Sequence, residues 1–177
     1  DYLLFVGRLV HRKGPHVAAE VAERAGRRLL VAGQGATHVE RGRIVAPEVT
    51  IEGDHVEYVG PVGVEERARL MARATAIIVP TLYIEPFGGV AVEAMLSGTP
   101  AVASDWGAFA ETVVPGYSGF RFTTLAEGAR AVGDAALLDP GAVRDWALGR
   151  YSLEAVGPRF DAGFRRLRGL WGEGWYA

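Results

Sequence analysis

The sequence predicts a doubly wound, Rossmann-like α/β domain, with one parallel sheet and helices on both of its faces. Short apolar runs alternate with longer stretches of helical periodicity, which is how a sheet buried on both sides reads. Glycines, prolines and charged residues collect just after those runs, where the crevice of such a sheet takes its ligands. At 177 residues the chain suits one domain spanning 1–177.

Tyr2–Val6 reads as the first strand. Pro15–Ala25 is helical, with Val17, Val21, Ala22 and Ala25 on one face. Leu29–Ala32 is the second strand and runs into Gly33-Gln34-Gly35. From Ala36 to Asp54 the chain is polar and irregular, and a long loop with short strand pieces is expected. Val56–Val59 is the third strand, Glu65–Ala74 a helix, and Ala76–Val79 a fourth strand closed by Pro80. Gly88–Ser97 is apolar nearly all round and should form a buried helix. Ala101–Ser104 and Gly119–Phe122 are the fifth and sixth strands. Thr124-Leu125-Ala126-Glu127 forms a capping box that opens the next helix. Asp139-Pro140 pairs an N-cap with proline at the first helical position. A last amphipathic helix, 152–170, carries Leu153, Val156, Phe160, Phe164 and Leu167 on one stripe.

Composition narrows the function classes. Half-hydrophobic content (49%) gives material for a core, and a net charge of -2 gives no basic field to recruit nucleic acid. No apolar run reaches the length of a transmembrane segment. The absence of cysteine excludes disulfides and thiolate metal sites and suits a cytoplasmic location. The chain opens without an initiator Met or a leader pattern and runs straight into a core strand, so it reads as a fragment of a longer protein.

Two segments carry chemistry. After the first strand, Gly7 lets the backbone turn, and Arg8 and Lys13 are expected to converge as a two-cation clamp for phosphate oxygens. After the fourth strand, Pro80-Thr81-Leu82-Tyr83-Ile84-Glu85-Pro86-Phe87-Gly88-Gly89-Val90-Ala91-Val92-Glu93 crosses into the buried helix. The amides of Phe87, Gly88 and Gly89 form a helix start suited to an anion. Glu85 precedes the helix and Glu93 lies on its second turn, so both can face the crevice. Glu93 can accept two hydrogen bonds from a ribose diol, and a carboxylate on so apolar a helix calls for a partner. The histidines show no metal-ligand spacing, and no metal site is expected.

Taken with Phe5–Gly14, Val56–Val62, Glu111 and Pro115–Phe120, these blocks resemble the retaining nucleotide-sugar glycosyltransferases of group 1. That group includes glycogen synthase-like and sucrose-phosphate-synthase-like enzymes, and the match is to their C-terminal domain. The resemblance implies the C-terminal half of a two-domain glycosyltransferase-B fold. It implies transfer of a sugar from a nucleoside diphosphate to an acceptor hydroxyl with retention of configuration, by a hexosyltransferase type of enzyme. The donor is a nucleoside-diphosphate sugar, a UDP-sugar first among the uridine, adenosine and guanosine forms, and no separate cofactor is implied.

By the same resemblance, Arg8 and Lys13 bind the diphosphate and stabilise its departure. Glu93 binds the ribose hydroxyls, and Glu85 lies close to the transferred sugar. Phe87, Gly88 and Gly89, with Val90 behind them, touch sugar or phosphate. Tyr58 and Val59 edge the nucleobase, and Gly33 and Gly35 lie in a loop near the donor. Glycine at 89, where many relatives carry a larger apolar residue, leaves the sugar's identity open. Trp106 and Phe109 are expected to pack at the surface. An N-terminal domain would supply the acceptor site, and helix 152–170 with the tail (Leu170, Trp171, Trp175, Tyr176) would dock on it. Alone, the chain is expected to transfer little.

Rival readings are weaker. A nicotinamide dehydrogenase wants G-x-G-x-x-G after the first strand, and the chain has Gly7-Arg8 there. A non-catalytic nucleotide-binding or assembly module would not need Arg8, Lys13, Glu85 and Glu93 together. A sugar-nucleotide epimerase on the same scaffold remains an alternative.

Overall fold

A computed structural model describes residues 1–173. Six parallel strands form the main sheet: β1 (Leu3–Val6), β2 (Leu29–Ala32), β6 (Val56–Gly60), β7 (Ala76–Val79), β8 (Ala101–Ser104) and β9 (Gly119–Phe122). Their order is β6-β2-β1-β7-β8-β9. The chain builds outward from β1 on one side, then crosses back to lay β7 on the other. The reversal between β1 and β7 opens the crevice in which such sheets bind ligands.

Period-2 alternation along the strands sends side chains into two cores. Leu3, Phe5, Leu29, Val31 and Ile78 pack beneath α1 (Pro15–Arg24) and α5 (Leu125–Ala135). Leu4, Leu30, Ile77 and Val79 pack on the opposite face against α3 (Gly89–Leu96) and α6 (Pro140–Tyr151). Burying each such side chain stabilises the fold by roughly 1.5–3 kcal/mol. Helix α2 (Val64–Arg73) contributes Met71 to this second core. The capping box at Thr124 and the Asp139 N-cap both form as the sequence predicts.

Four expectations are corrected. The stretch 36–54 is a three-stranded antiparallel sheet, β3 (His38–Glu40), β4 (Arg43–Ala46) and β5 (Val49–Glu52). Ile44, Ala46, Val49 and Ile51 alternate inward from it and join the α1 core, so its apolar residues are few but correctly phased. A one-turn helix, α4 (Phe109–Thr112), follows β8, and Phe109 is fully buried, the largest side chain so enclosed. Its place is the core, where it fills the space left by Gly88. Helix α7 runs over Leu153–Glu173, so Leu170 and Trp171 lie within it, while Trp175 and Tyr176 fall outside the described residues. Helix α3 is buried on most of its circumference, yet Glu93 emerges on its exposed side.

Helix α7 differs from the others. From Gly157 to Gly169 every residue is exposed, and Phe160, Phe164 and Trp171 stand at 64%, 65% and 78% exposure. Its apolar stripe is thus uncovered by the rest of the described chain. No helix among the described residues is long and apolar enough to cross a membrane.

Candidate functional site

The crevice between β1 and β7 holds a cavity of about 230 Å³. Gly7 and Lys13 reach it from the loop after β1, and Thr81 and Glu85 from the segment after β7. Gly88, Gly89, Val90 and Glu93 line it from the start of α3, and Arg67 from α2. The loops are stitched together by backbone bonds. The Leu82 amide donates to the Arg12 carbonyl (2.8 Å), and the Ala108 amide donates to the Glu85 carbonyl (2.9 Å). Leu9, almost wholly buried, anchors the first loop from below.

The centre of the site is a three-residue cluster. Lys13 Nζ donates to Tyr83 Oη at 2.5 Å and to Glu85 Oε2 at 2.9 Å, and the Tyr83 hydroxyl donates to the same Glu85 oxygen. Desolvation is the largest influence on the Glu85 carboxyl and pushes its pKa up. The hydrogen bonds from Tyr83 and Lys13, the lysine charge and the Gly88 amide together outweigh it and hold the pKa below the ordinary value. Desolvation likewise pulls Lys13 down, and its bonds to Tyr83 and Glu85 leave it above the ordinary value. Both groups are therefore charged at neutral pH.

Glu93 makes its own pair, with Arg67 Nε 2.8 Å from its Oε2. The partner that an acidic residue on α3 calls for is thus a base from the neighbouring helix. The amides at the start of α3 face the cavity with the positive end of the helix. Gly88 makes this start possible: at φ +77°, a Cβ there would lie 2.4 Å from Phe109 Cε1. At Gly89 a Cβ would meet nothing nearer than Phe87 Cδ1 at 3.9 Å, so the missing side chain leaves open space beside the cavity.

Of the residues singled out in the sequence, Gly7, Lys13, Glu85, Gly88, Gly89, Val90 and Glu93 share this cavity. Gly33, Gly35, Tyr58 and Val59 do not line it, and Tyr58 instead lines a separate cavity beside the β3–β5 sheet. A Cβ on Gly33 would fall 1.8 Å from the Gly7 carbonyl oxygen, so only glycine lets these two loops touch. The Tyr58 hydroxyl donates to the Gly33 carbonyl (2.6 Å), and the Gly33 amide to that of Gly60 (2.9 Å). Phe87 turns its ring away, edge-on to Tyr151. Arg8 is exposed, forms no ion pair among the described residues and does not line this cavity. Lys13 is held by Glu85 and Tyr83.

Thr81, Tyr83 and Arg67 escaped the sequence reading. Tyr83 had a signal, since residues two apart in an extended segment face the same side, which pairs it with Glu85. Arg67 had none, because only the packing of α2 on α3 brings it to Glu93. Asp105 is paired with Arg121 (2.5 Å). A larger cavity, about 470 Å³, lies between β6 and the β3–β5 sheet, and neither Lys13, Glu85 nor Glu93 lines it.

Residues 1–140 match the family of glycosyl transferases group 1. Glycogen synthase from Mycobacterium tuberculosis is 34% identical over 128 residues, covering 66% of this chain and 29% of the relative. AviGT4, a glycosyltransferase involved in avilamycin A biosynthesis, superposes with a TM-score of 0.76 at 31% identity over 94% of this chain and 51% of that structure. Sucrose-phosphate synthase from Thermosynechococcus elongatus gives 0.75 at 26% identity, over 95% of this chain and 45% of that one. This chain thus spans under a third of that glycogen synthase and about half of these solved structures. The six-stranded parallel sheet matches the glycosyltransferase-B fold of these neighbours. By sequence and fold alike, the chain belongs to the glycosyl transferases of group 1.

Proposed function

We propose that this chain is the donor-binding, C-terminal half of a retaining glycosyltransferase. It would take a sugar from a nucleoside diphosphate, a UDP-sugar first, to an acceptor hydroxyl. One observation carries the reading: Lys13, Glu85, Glu93 and the amide-rich start of α3 surround one cavity at the strand-order reversal. These groups match the parts of a nucleotide sugar in kind. The ammonium and the helix start suit the diphosphate, a carboxylate suits the ribose diol, and a second carboxylate suits the sugar.

Departure of the diphosphate builds negative charge on its oxygens, and positioned donors aimed at that charge lower the barrier. In this reading Lys13 exchanges its bond to Glu85 for the diphosphate, while Arg8 swings in from solvent as the second cation. Glu85, released, turns to the sugar's hydroxyls or to the positive charge developing at its anomeric carbon. No cofactor or metal takes part. The acceptor site belongs to an N-terminal domain on which the uncovered stripe of α7 docks, and the protein works in the cytoplasm. Alone, this half binds donor weakly and transfers little.

Calorimetric titration of the chain with UDP, ADP and GDP tests the donor site. One diphosphate should bind, on the order of 0.1–1 mM, and weaken in Arg8→Ala, Lys13→Ala and Glu93→Ala. Binding of none of the three by the folded wild-type chain, and again by the longer protein, would overturn the reading in favour of a non-catalytic module.

A further inference from the structure

Glu93 and Arg67 form an ion pair between α3 and α2, with Arg67 Nε 2.8 Å from Glu93 Oε2. Both side chains line the donor cavity, and both also border a shallow hollow formed with Val64, Met71 and Leu96. The pair is well exposed, Arg67 at 32% and Glu93 at 45%, and ion pairs so exposed add little to stability. Their consequence is orientation. A glutamate side chain at a cavity rim has several rotamers, and a guanidinium 2.8 Å away favours those that keep the carboxylate beside it. The carboxylate is then biased toward the Arg67 side of the cavity rim before any ligand arrives.

Charge points the same way. Lys13 balances Glu85, and Arg67 balances Glu93, so neither carboxylate confronts an arriving diphosphate uncompensated. Without Arg67, Glu93 would be both mobile and repulsive to the phosphates.

We infer that Arg67 is a positioning residue for ribose recognition, holding the Glu93 carboxylate where it can accept from the ribose diol. The inference rests on the donor-site reading above. It assigns Arg67 no contact with the diphosphate, which separates it from Arg8 and Lys13.

The test uses whichever of UDP, ADP and GDP binds the wild-type chain, together with the 2′,3′-dideoxy form of that nucleotide. Arg67→Leu should weaken the ribonucleotide about five- to twentyfold, the scale of one charge-assisted hydrogen bond. The dideoxynucleotide should change by less than about twofold, since it lacks the diol. Arg67→Lys should recover part of the loss. In a Glu93→Ala background, Arg67→Leu should add nothing, because the two residues act as one unit. Equal losses for both nucleotides would place Arg67 on the phosphates or in the fold and overturn the inference, as would an unchanged ribonucleotide. Failure of the wild-type chain to bind any of the three diphosphates would instead strike the donor reading itself, before any variant is made, and this inference would fall with it.

Discussion

Tyr83 sets its hydroxyl between Lys13 Nζ and Glu85 Oε2, so one phenol serves both charges at the centre of the site. Removing it in Tyr83→Phe takes a donor from the carboxylate and an acceptor from the ammonium. The Glu85 pKa, held below its ordinary value, should rise, and the Lys13 pKa, held above its own, should fall. A carboxyl lowered on folding contributes stability above its unfolded pKa and loses it as pH falls through the folded one. The variant should therefore lose that contribution at a higher pH than the wild type. A carbon-detected NMR titration of the Glu85 carboxyl reads the midpoint directly, and an unmoved midpoint would show that the phenol is not bonded there. Gly88 supplies a second residue-scale prediction. In Gly88→Ala the new Cβ sits at positive φ and 2.4 Å from the fully buried Phe109 ring. Left-handed strain and displacement of the ring should cost about 2–4 kcal/mol by urea denaturation. The neighbouring Gly89→Ala has open space and should stay within about 0.5 kcal/mol. Equal losses at both positions would mean that Phe109 is not what makes 88 special.

Among the elements, α5 has the best-defined start. The Glu127 carboxylate accepts from the Thr124 amide (3.0 Å) and from the Thr123 amide (2.9 Å) and hydroxyl (2.7 Å). Thr124 Oγ1 accepts from the Glu127 amide in return. The Thr123 hydroxyl, then the amides, lower the Glu127 pKa to about 2, from 4.5. Its stabilisation is complete above pH 4.5 and is lost as pH falls through 2. Thermal unfolding of Glu127→Ala should fall short of wild type at neutral pH, with the gap closing over that acid range. Thr124→Ala should cost about 1 kcal/mol at neutral pH.

This box was legible because its partners lie three residues apart, as were the Asp139 cap and the six core strands, whose patterns are equally local. The β3–β5 sheet was not, since strands of three or four residues around Gly42 give too few apolar positions to mark a period. Helix α4 was missed because a single turn shows no helical periodicity at all. At the site, Lys13 and Glu85 were each picked out, but their pairing was not. They are 72 residues apart, and only the order of β1 and β7 brings them together.

For the molecule as a whole, α7 is the element that the rest of the described chain does not explain. A stripe with Phe160, Phe164, Leu167 and Trp171 all substantially exposed is an apolar surface of the sort that marks an interaction site. The two phenylalanines stack on each other, 6.4 Å between centroids, rather than on the sheet or its helices. If the stripe belongs to an interface with another domain, removing it should leave this domain's own stability alone. The double variant Phe160→Ser with Phe164→Ser should keep its unfolding free energy within about 0.5 kcal/mol of wild type. Fluorescence of an apolar dye such as anilinonaphthalene sulfonate should fall at the same time, because the surface it reports is gone. A loss above about 1 kcal/mol would show instead that in solution α7 folds back and buries these rings against its own domain. The two outcomes separate cleanly because the cores on either side of the sheet are built without a single residue from beyond Tyr151. Whatever α7 covers, the cavity between β1 and β7 and its two ion pairs are complete before that helix begins.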